Sequence, residues 1–244
     1  MKYLAFLFTV LLSATAADAA SREIPQDVIK TSAGNLEISF IGHASLMLQF
    51  RGKIIHVDPY SKEGDYTQLP KADLILITHD HVDHYDPKAL ANIQTDDTAM
   101  IIPMSCADRI PEGLVMKNGD TLTELGIEVR AVPAYNIVHK RENGEPYHPK
   151  GVGNGYVLTF GEKHIYIAGD TENIPEVKAL RGIDVAFLPM NIPFTMTPAM
   201  VADAARAIKP PMLYPYHYGE TDPTELPRLL QDAPGIEVRI RPMR

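Results

Sequence analysis

The sequence predicts an α/β fold of four layers, αβ/βα, in which two mixed β-sheets face each other and helices lie outside. Three observations lead there. Short apolar segments alternate with turn signals down the chain, with no low-complexity linker and no charge block after residue 30, so residues 21–244 read as one domain. Each half opens on closely spaced strand-like segments. Each half then changes to strand–helix alternation.

The elements follow in order. Leu36–Ile41, Ser45–Phe50 and Ile54–Val57 are short, rich in β-branched and aromatic residues, and separated by Gly42 and by Arg51-Gly52-Lys53, the pattern of a β-meander. Asp73–Thr78 is a continuous apolar run, as expected of a strand covered on both faces. Asp86-Pro87 supplies a cap and a first-turn proline for a short helix, Lys88–Ile93. Met100–Pro103 and Ile127–Val132 read as strands. In the second half, Gly155–Phe160 and His164–Ala168 flank Gly161-Glu162-Lys163 as a hairpin. Asn173–Arg181 reads as a helix, Asp184–Leu188 as a buried strand, and Ala199–Ile208 as a helix capped by Thr197-Pro198. Met212–Tyr216 is a strand, Asp222-Pro223 opens another helix, and Ile236–Ile240 closes the sheet.

Residues 1–20 stand apart. Lys2 precedes an apolar run, Tyr3–Leu12, broken only by Thr9, and Ala17-Asp18-Ala19 fits a small-x-small cleavage site. This is the pattern of a secretory signal peptide, which predicts a periplasmic or secreted protein. The alternative, a membrane anchor, needs roughly 20 apolar residues, so no stable membrane insertion is expected. A net charge of -8 argues against nucleic acid as a partner and leaves a small-molecule substrate. Oligomeric state is not legible. The single cysteine, Cys106, excludes an internal disulfide and sits beside an apolar run as a small hydrophobe.

Chemistry concentrates in Thr78-His79-Asp80-His81-Val82-Asp83-His84, between the apolar strand and the capped helix. Three of the nine histidines of the chain fall in this stretch with two aspartates. His79 and His81, two apart in an extended loop, can converge on one ion, while Asp83 and His84, a turn later, can serve a second. Imidazole with carboxylate suits zinc. The competing reading is a polar, solvated loop. No G-x-S-x-G or phosphate-binding loop points to a different nucleophile.

The string resembles the H-x-H-x-D-H signature of the metallo-β-lactamase superfamily, and other segments from about residue 36 to residue 240 match that family in the same order. Asp58-Pro59 resembles its early aspartate, which supports the metal loop. Ala168-Gly169-Asp170-Thr171 resembles the segment whose aspartate, here Asp170, bridges two metals. Tyr214-Pro215-Tyr216-His217-Tyr218-Gly219 resembles the segment carrying the last ligand of the second metal, here His217. Ile41-Gly42-His43-Ala44-Ser45 is similar to the opening of the branch containing ascorbate-6-phosphate lactonase and N-acyl-phosphatidylethanolamine phospholipase D. The resemblance thus implies a metallo-β-lactamase sandwich holding two Zn2+ ions and hydrolysing a lactone, phosphodiester or related ester through a zinc-activated hydroxide. It implies His43 beside the metals or a hydrogen-bonded structural role, Asp83 in catalysis, and Asp80 as a second-row group that orients a histidine or relays a proton.

One position departs from the family. After Pro133-Ala134-Tyr135, where relatives carry the third histidine of the first metal, stands Asn136, a poor zinc ligand. His139 is expected to take its place because it stays closest to the strand end. His148 would need the loop Lys140–Tyr147 to fold back, and a third possibility is that the first metal has two histidines and Asp170 alone. Lys150, among Gly151, Gly153 and Gly155, reads as a flexible strand entry or as an anion contact. Met190–Met200, uncharged and apolar, reads as a border of the cleft or as ordinary packing. Two other functional readings stand beside the hydrolase: an iron-dependent oxidoreductase on the same fold and a non-catalytic metal-binding protein.

Overall fold

The computed structural model describes residues 23–244, so the expected signal peptide, residues 1–20, lies outside the described residues. Two seven-stranded mixed sheets form the molecule. The first holds β1 (Gln26–Thr31), β2 (Gly34–Gly42), β3 (Ser45–Phe50), β4 (Lys53–Val57), β5 (Leu74–Leu76), β6 (Ala99–Pro103) and β7 (Leu114–Met116), side by side in chain order. The second holds β8 (Thr121–Glu124), β9 (Ile127–Ala134), β10 (Gly153–Phe160), β11 (Lys163–Ile167), β12 (Val185–Pro189), β13 (Met212–Tyr216) and β14 (Glu237–Val238), again in chain order. In each sheet the first four strands pair antiparallel and the last three join parallel.

That change of pairing explains the two sequence rhythms. Antiparallel neighbours are joined by tight turns, whereas parallel neighbours need a crossover. The crossovers carry α1 (Pro87–Ile93), α2 (Pro175–Lys178), α3 (Pro198–Ile208) and α4 (Glu225–Leu229). The apolar run of β5 divides by parity. Leu74 and Leu76 join the core that includes β9 and β10, while Ile75 and Ile77 pack with Ala89, Leu90 and Ile93 of α1. A strand buried on both faces therefore lies between the opposite sheet and an outer helix, as a four-layer sandwich requires.

Three expectations need adjustment. β1, β7 and β8 were not legible as strands: β1 fully buries only Ile29, and β7 only Met116. The helix expected over Asn173–Arg181 is one turn, Pro175–Lys178. Its ends are diverted, since the Asn173 amide donates to Asp203, the Arg181 guanidinium donates to the carbonyls of Lys178 and Leu180, and Gly182 turns the chain at φ +70°. The last strand is two residues, Glu237–Val238, within the expected Ile236–Ile240.

Among the described residues no helix is long and apolar enough to cross a membrane. Cys106 is buried and free, and burial pushes its thiol up to about 12, so it packs as an apolar group.

Candidate metal centre

The site forms where the carboxyl ends of strands from both sheets meet. Asp58 follows β4 in the left-handed region, at φ +43°, and is fully buried. Its backbone N–H donates to the Leu76 carbonyl at the end of β5. Its two carboxylate oxygens then accept from the Thr78 N–H at 2.8 Å, the Thr78 hydroxyl at 2.7 Å and His84 Nδ1 at 2.8 Å. One carboxylate thus fixes the start of the metal loop and turns the His84 ring so that Nε2 faces inward. His43 and His217 are also left-handed, at φ +54° and +45°, and the His217 N–H donates to the His43 carbonyl. Left-handed backbone costs about 1–3 kcal/mol at a residue other than glycine, so three such residues at one place mark strain held by the surrounding structure.

Asp170 stands at the centre, 5% exposed. Its Oδ2 is 3.2 Å from His148 Nε2, 3.6 Å from His217 Nε2 and 3.9 Å from His79 Nε2, and its Oδ1 is 3.5 Å from His84 Nε2. Gly169 places it there: the residue has φ +63°, and a Cβ would lie 2.8 Å from the Asn154 carbonyl oxygen and 3.1 Å from Thr78 Cβ. To one side of Asp170 lie His79, His81 and His148, with possible donor atoms within 4.8 Å of one another. To the other lie Asp83, His84 and His217 with His43, equally close. Asp83 Oδ2 is 3.0 Å from His43 Nε2, 3.6 Å from His217 Nε2 and 3.9 Å from His84 Nε2.

The rings share one pattern. Nδ1 of His79 contacts the Thr78 hydroxyl at 3.0 Å, Nδ1 of His84 meets Asp58, Nδ1 of His148 meets Asn136 Oδ1 at 2.7 Å, and Nδ1 of His217 lies 3.3 Å from the Asn191 amide. The opposite atoms turn to the centre. Nε2 of His79, His84 and His217, together with Asp170 Oδ1, are buried without a hydrogen-bond partner. A buried polar atom left unpaired costs about 1–3 kcal/mol. Four of them converging, each ring held from behind by a protein group, fit a cation and fit it well.

Charge effects agree. Burial depresses the His79 imidazolium most, and His84 adds to it, holding His79 well below its ordinary range. Burial also works against charge on His84, but Asp170, Asp58 and Asp83 overcome it and raise this ring to about 9. Burial opposes ionisation of Asp170, yet His217, His84 and His148 hold its carboxyl well below the usual range. Burial likewise opposes charge on Asp83, and His217, His43 and His84 overcome it. The site is a nest of imidazoles around ionised carboxylates.

His139 is not part of it, and the expectation that it completes the first group is corrected. The buried Glu172 carboxylate gathers donors at 2.7 Å from the backbone of Ile137, Val138 and His139, and at 2.8 Å from the His139 ring. That ring does not join the donor atoms that converge at the centre, which come from His79, His81 and His148 on this side. His148 takes the place because the loop does fold back: Lys140 bridges to Pro146, and the Arg141 N–H donates to the Glu145 carbonyl at 2.7 Å. Asp80 also differs from expectation. Its carboxylate pairs with Arg109 at 3.6 Å, and the ring-orienting contacts come from Asp58, Thr78 and Asn136. Lys150 donates to Glu176 at 2.8 Å and is taken up there. Sequence reading missed Asn136 and Glu172 as supports, because an amide and a carboxylate far from the histidine string carry no motif.

Comparison with known proteins agrees with this geometry. A β-lactamase superfamily domain matches residues 37–217. A UPF0173 metal-dependent hydrolase of Thermococcus kodakarensis is 32% identical over 223 residues, covering 83% of this chain and 96% of the relative. The crystal structure of a candidate metal-dependent hydrolase from Parabacteroides distasonis is 49% identical with a TM-score of 0.87, covering 91% of this chain and 100% of that one. A metallo hydrolase of Ignicoccus hospitalis, 21% identical with a TM-score of 0.70 over 85% of this chain and 95% of its own, shares the fold. The chain belongs to the β-lactamase superfamily, as one of its metal-dependent hydrolases.

Proposed function

We propose that the protein is a zinc-dependent hydrolase acting on a lactone, a phosphodiester or a related ester. The observation that carries this reading is the set of inward, unpartnered Nε2 atoms around Asp170, each ring held from behind. His79, His81 and His148 would hold one ion, Asp83, His84 and His217 a second, and Asp170 would lie between them. A donor set dominated by imidazole favours zinc over magnesium or calcium. Bound there, zinc supplies Lewis acidity toward a carbonyl or phosphoryl oxygen and a source of hydroxide at neutral pH.

The chain's own residues prepare that chemistry. Asp58 and Asn136 fix which nitrogen of His84 and His148 faces the centre. His43 Nε2 lies 3.0 Å from Asp83 Oδ2 and holds that oxygen in place, with its ring 3.8 Å from that of His217. Tyr147 and Phe194, packed edge to face with centroids 5.0 Å apart, wall the cleft and limit water. The test is metal analysis of purified protein followed by turnover of a panel of esters, lactones and phosphodiesters. About two zinc ions per chain with hydrolysis of one class is the expected outcome. Iron as the bound metal with no hydrolysis would overturn it in favour of an oxidoreductase.

Residues 1–20 direct export in this reading, and the mature chain then starts near Ala20. N-terminal sequencing of the protein from the periplasmic fraction checks it. Met1 intact on a membrane-bound form would refute export with cleavage.

A further inference from the structure

The cleft over the two histidine groups is lined by His81, Asp83, His148, Asp170 and His217 at its base, and by Arg141, Tyr147, Asn191 and Phe194 around its mouth; its cavity volume is about 260 Å³. That size suits a metabolite-sized ligand. Arg141 is the one cationic side chain among those lining residues. It is carried by the hairpin that brings His148 back, where its N–H donates to the Glu145 carbonyl and its carbonyl accepts from the Gly144 N–H at 2.9 Å. The guanidinium lies over the Tyr147 ring, 5.1 Å from the centroid, and donates to the Tyr147 carbonyl at 3.3 Å.

Two other cations near this end of the molecule are taken up in ion pairs. Lys150 is paired with Glu176, and Arg109 with Asp80. Among the described residues Arg141 has no carboxylate partner within ion-pair distance, so most of its five donors are free and stacking holds its plane in place. A chain of net charge -8 does not attract anions at long range, so recognition of one must be local. Phe194, which packs against Tyr147 in the same lining, is 42% exposed and gives the mouth an apolar side.

We propose that Arg141 reads an anionic group on the substrate, a carboxylate or a phosphate set apart from the bond that is cut, with an apolar spacer lying along Tyr147 and Phe194. This deepens the hydrolase reading above and rests on it for the bond cleaved. A fork of N–H donors matches either oxyanion, and a planar cation stacked on an aromatic ring loses little freedom when it binds. The hairpin therefore does two things: its return limb delivers His148 to the centre, and Arg141 sets the substrate class.

The test uses three 4-nitrophenyl esters with acyl chains of equal length, ending in a carboxylate, a phosphonate or a methyl ester. They are assayed with zinc-loaded wild type, Arg141→Ala and Arg141→Lys at equal metal content. Wild type should prefer an anion-ended ester. In Arg141→Ala the ratio of kcat/KM for that ester over the methyl-capped one should fall at least about tenfold, through KM, with Arg141→Lys between. The carboxylate and phosphonate arms tell which anion is preferred. The matching amides, which are not cut, are titrated calorimetrically so that the result does not depend on ester hydrolysis. If no ester is turned over, the hydrolase reading is at fault for that bond. The anion reading still stands if the anion-ended amide binds wild type and binds Arg141→Ala at least about tenfold more weakly. Equal binding by both proteins, no binding of any amide, or an unchanged kcat/KM ratio would each overturn it.

Discussion

Every donor and acceptor of the Asn136 amide is engaged. Its Nδ2 donates to Glu172 Oε1 at 3.1 Å and to the Phe194 carbonyl at 2.9 Å, while its Oδ1 accepts from the His148 backbone at 2.8 Å and from His148 Nδ1 at 2.7 Å. The two acceptors facing Nδ2 assign the amide orientation. His148 must then carry a proton on Nδ1, and its Nε2 is turned toward Asp170. Asn136→Ala should weaken zinc binding by about 10–100-fold, the range for loss of a group behind a ligand. Competition with a chromophoric chelator measures it, and unchanged affinity would show that His148 needs no such support. A companion set separates ligand from support. Asp170→Ala and Asp83→Ala should each lower kcat/KM by at least about a hundredfold while remaining folded, with Asp170→Ala losing more metal. His139→Ala should keep its full metal content, since the ring lies outside the converging donor groups; an emptied site in that variant would restore His139 as a ligand. The sequence showed the histidine string because its ligands are near neighbours. It could not show which of His139 and His148 reaches the centre, because that choice is made by Glu172, 33 residues beyond His139, and by a hairpin whose closure depends on backbone pairing.

Among the elements, β4 and β5 carry the most consequence, because both end at the site and both are buried on two faces. Their legibility had a clear physical basis: a parallel strand between a sheet and a helix needs apolar residues at every position, and Leu74–Leu76 supplies them. Edge strands such as β1 and β8 have exposed alternate positions and weaker patterns, which is why they were not seen. His56, in the middle of β4, is the exception to an apolar interior. It is fully buried, its Nε2 meets the Pro70 carbonyl at 3.1 Å, and its Nδ1 has no partner. Burial lowers its pKa from 6.5 to about 4. Between those values the unfolded chain binds a proton that the folded chain refuses, so stability rises with pH across that window and falls as pH drops from about 6.5 toward 4. The full effect of a shift of this size is about 3 kcal/mol. His56→Gln, which keeps a donor for Pro70, should flatten this part of the profile. Urea unfolding of wild type and variant at pH 7, 6 and 5 reads the difference in slope, and parallel profiles would show that His56 does not govern it.

At the scale of the whole molecule, the metal centre is where the two sheets are joined by chemistry as well as by packing. His79, His81, Asp83 and His84 follow β5 of the first sheet, whereas His148, Asp170 and His217 belong to the second. Direct ties cross this seam at the site: the Asn154 N–H donates to the Thr78 carbonyl at 2.9 Å, the Tyr156 hydroxyl donates to the Ile77 carbonyl at 2.7 Å, and the His217 N–H donates to the His43 carbonyl at 2.9 Å. Ions held by both groups would bind the folded arrangement far better than a chain in which the groups are apart, and so would stabilise it by mass action. At a free zinc concentration a hundredfold above the dissociation constant, the gain is about 2.7 kcal/mol for each ion. For a domain of this length that corresponds to roughly 5–10 °C in Tm. Chelation should therefore lower the Tm of the wild-type protein by about that amount for each ion removed, and readdition of zinc should restore it. Asp170→Ala, which removes the group placed between the two sets, should show a much smaller response to the same cycle. The two sheets also share an extensive apolar interface, so the stripped protein should still unfold in one cooperative step. Differential scanning calorimetry with and without chelator distinguishes the cases. A Tm that ignores zinc in the wild type would mean that the histidine groups do not hold the metal jointly. A Tm response retained in full by Asp170→Ala would place the coupling on one set of ligands alone.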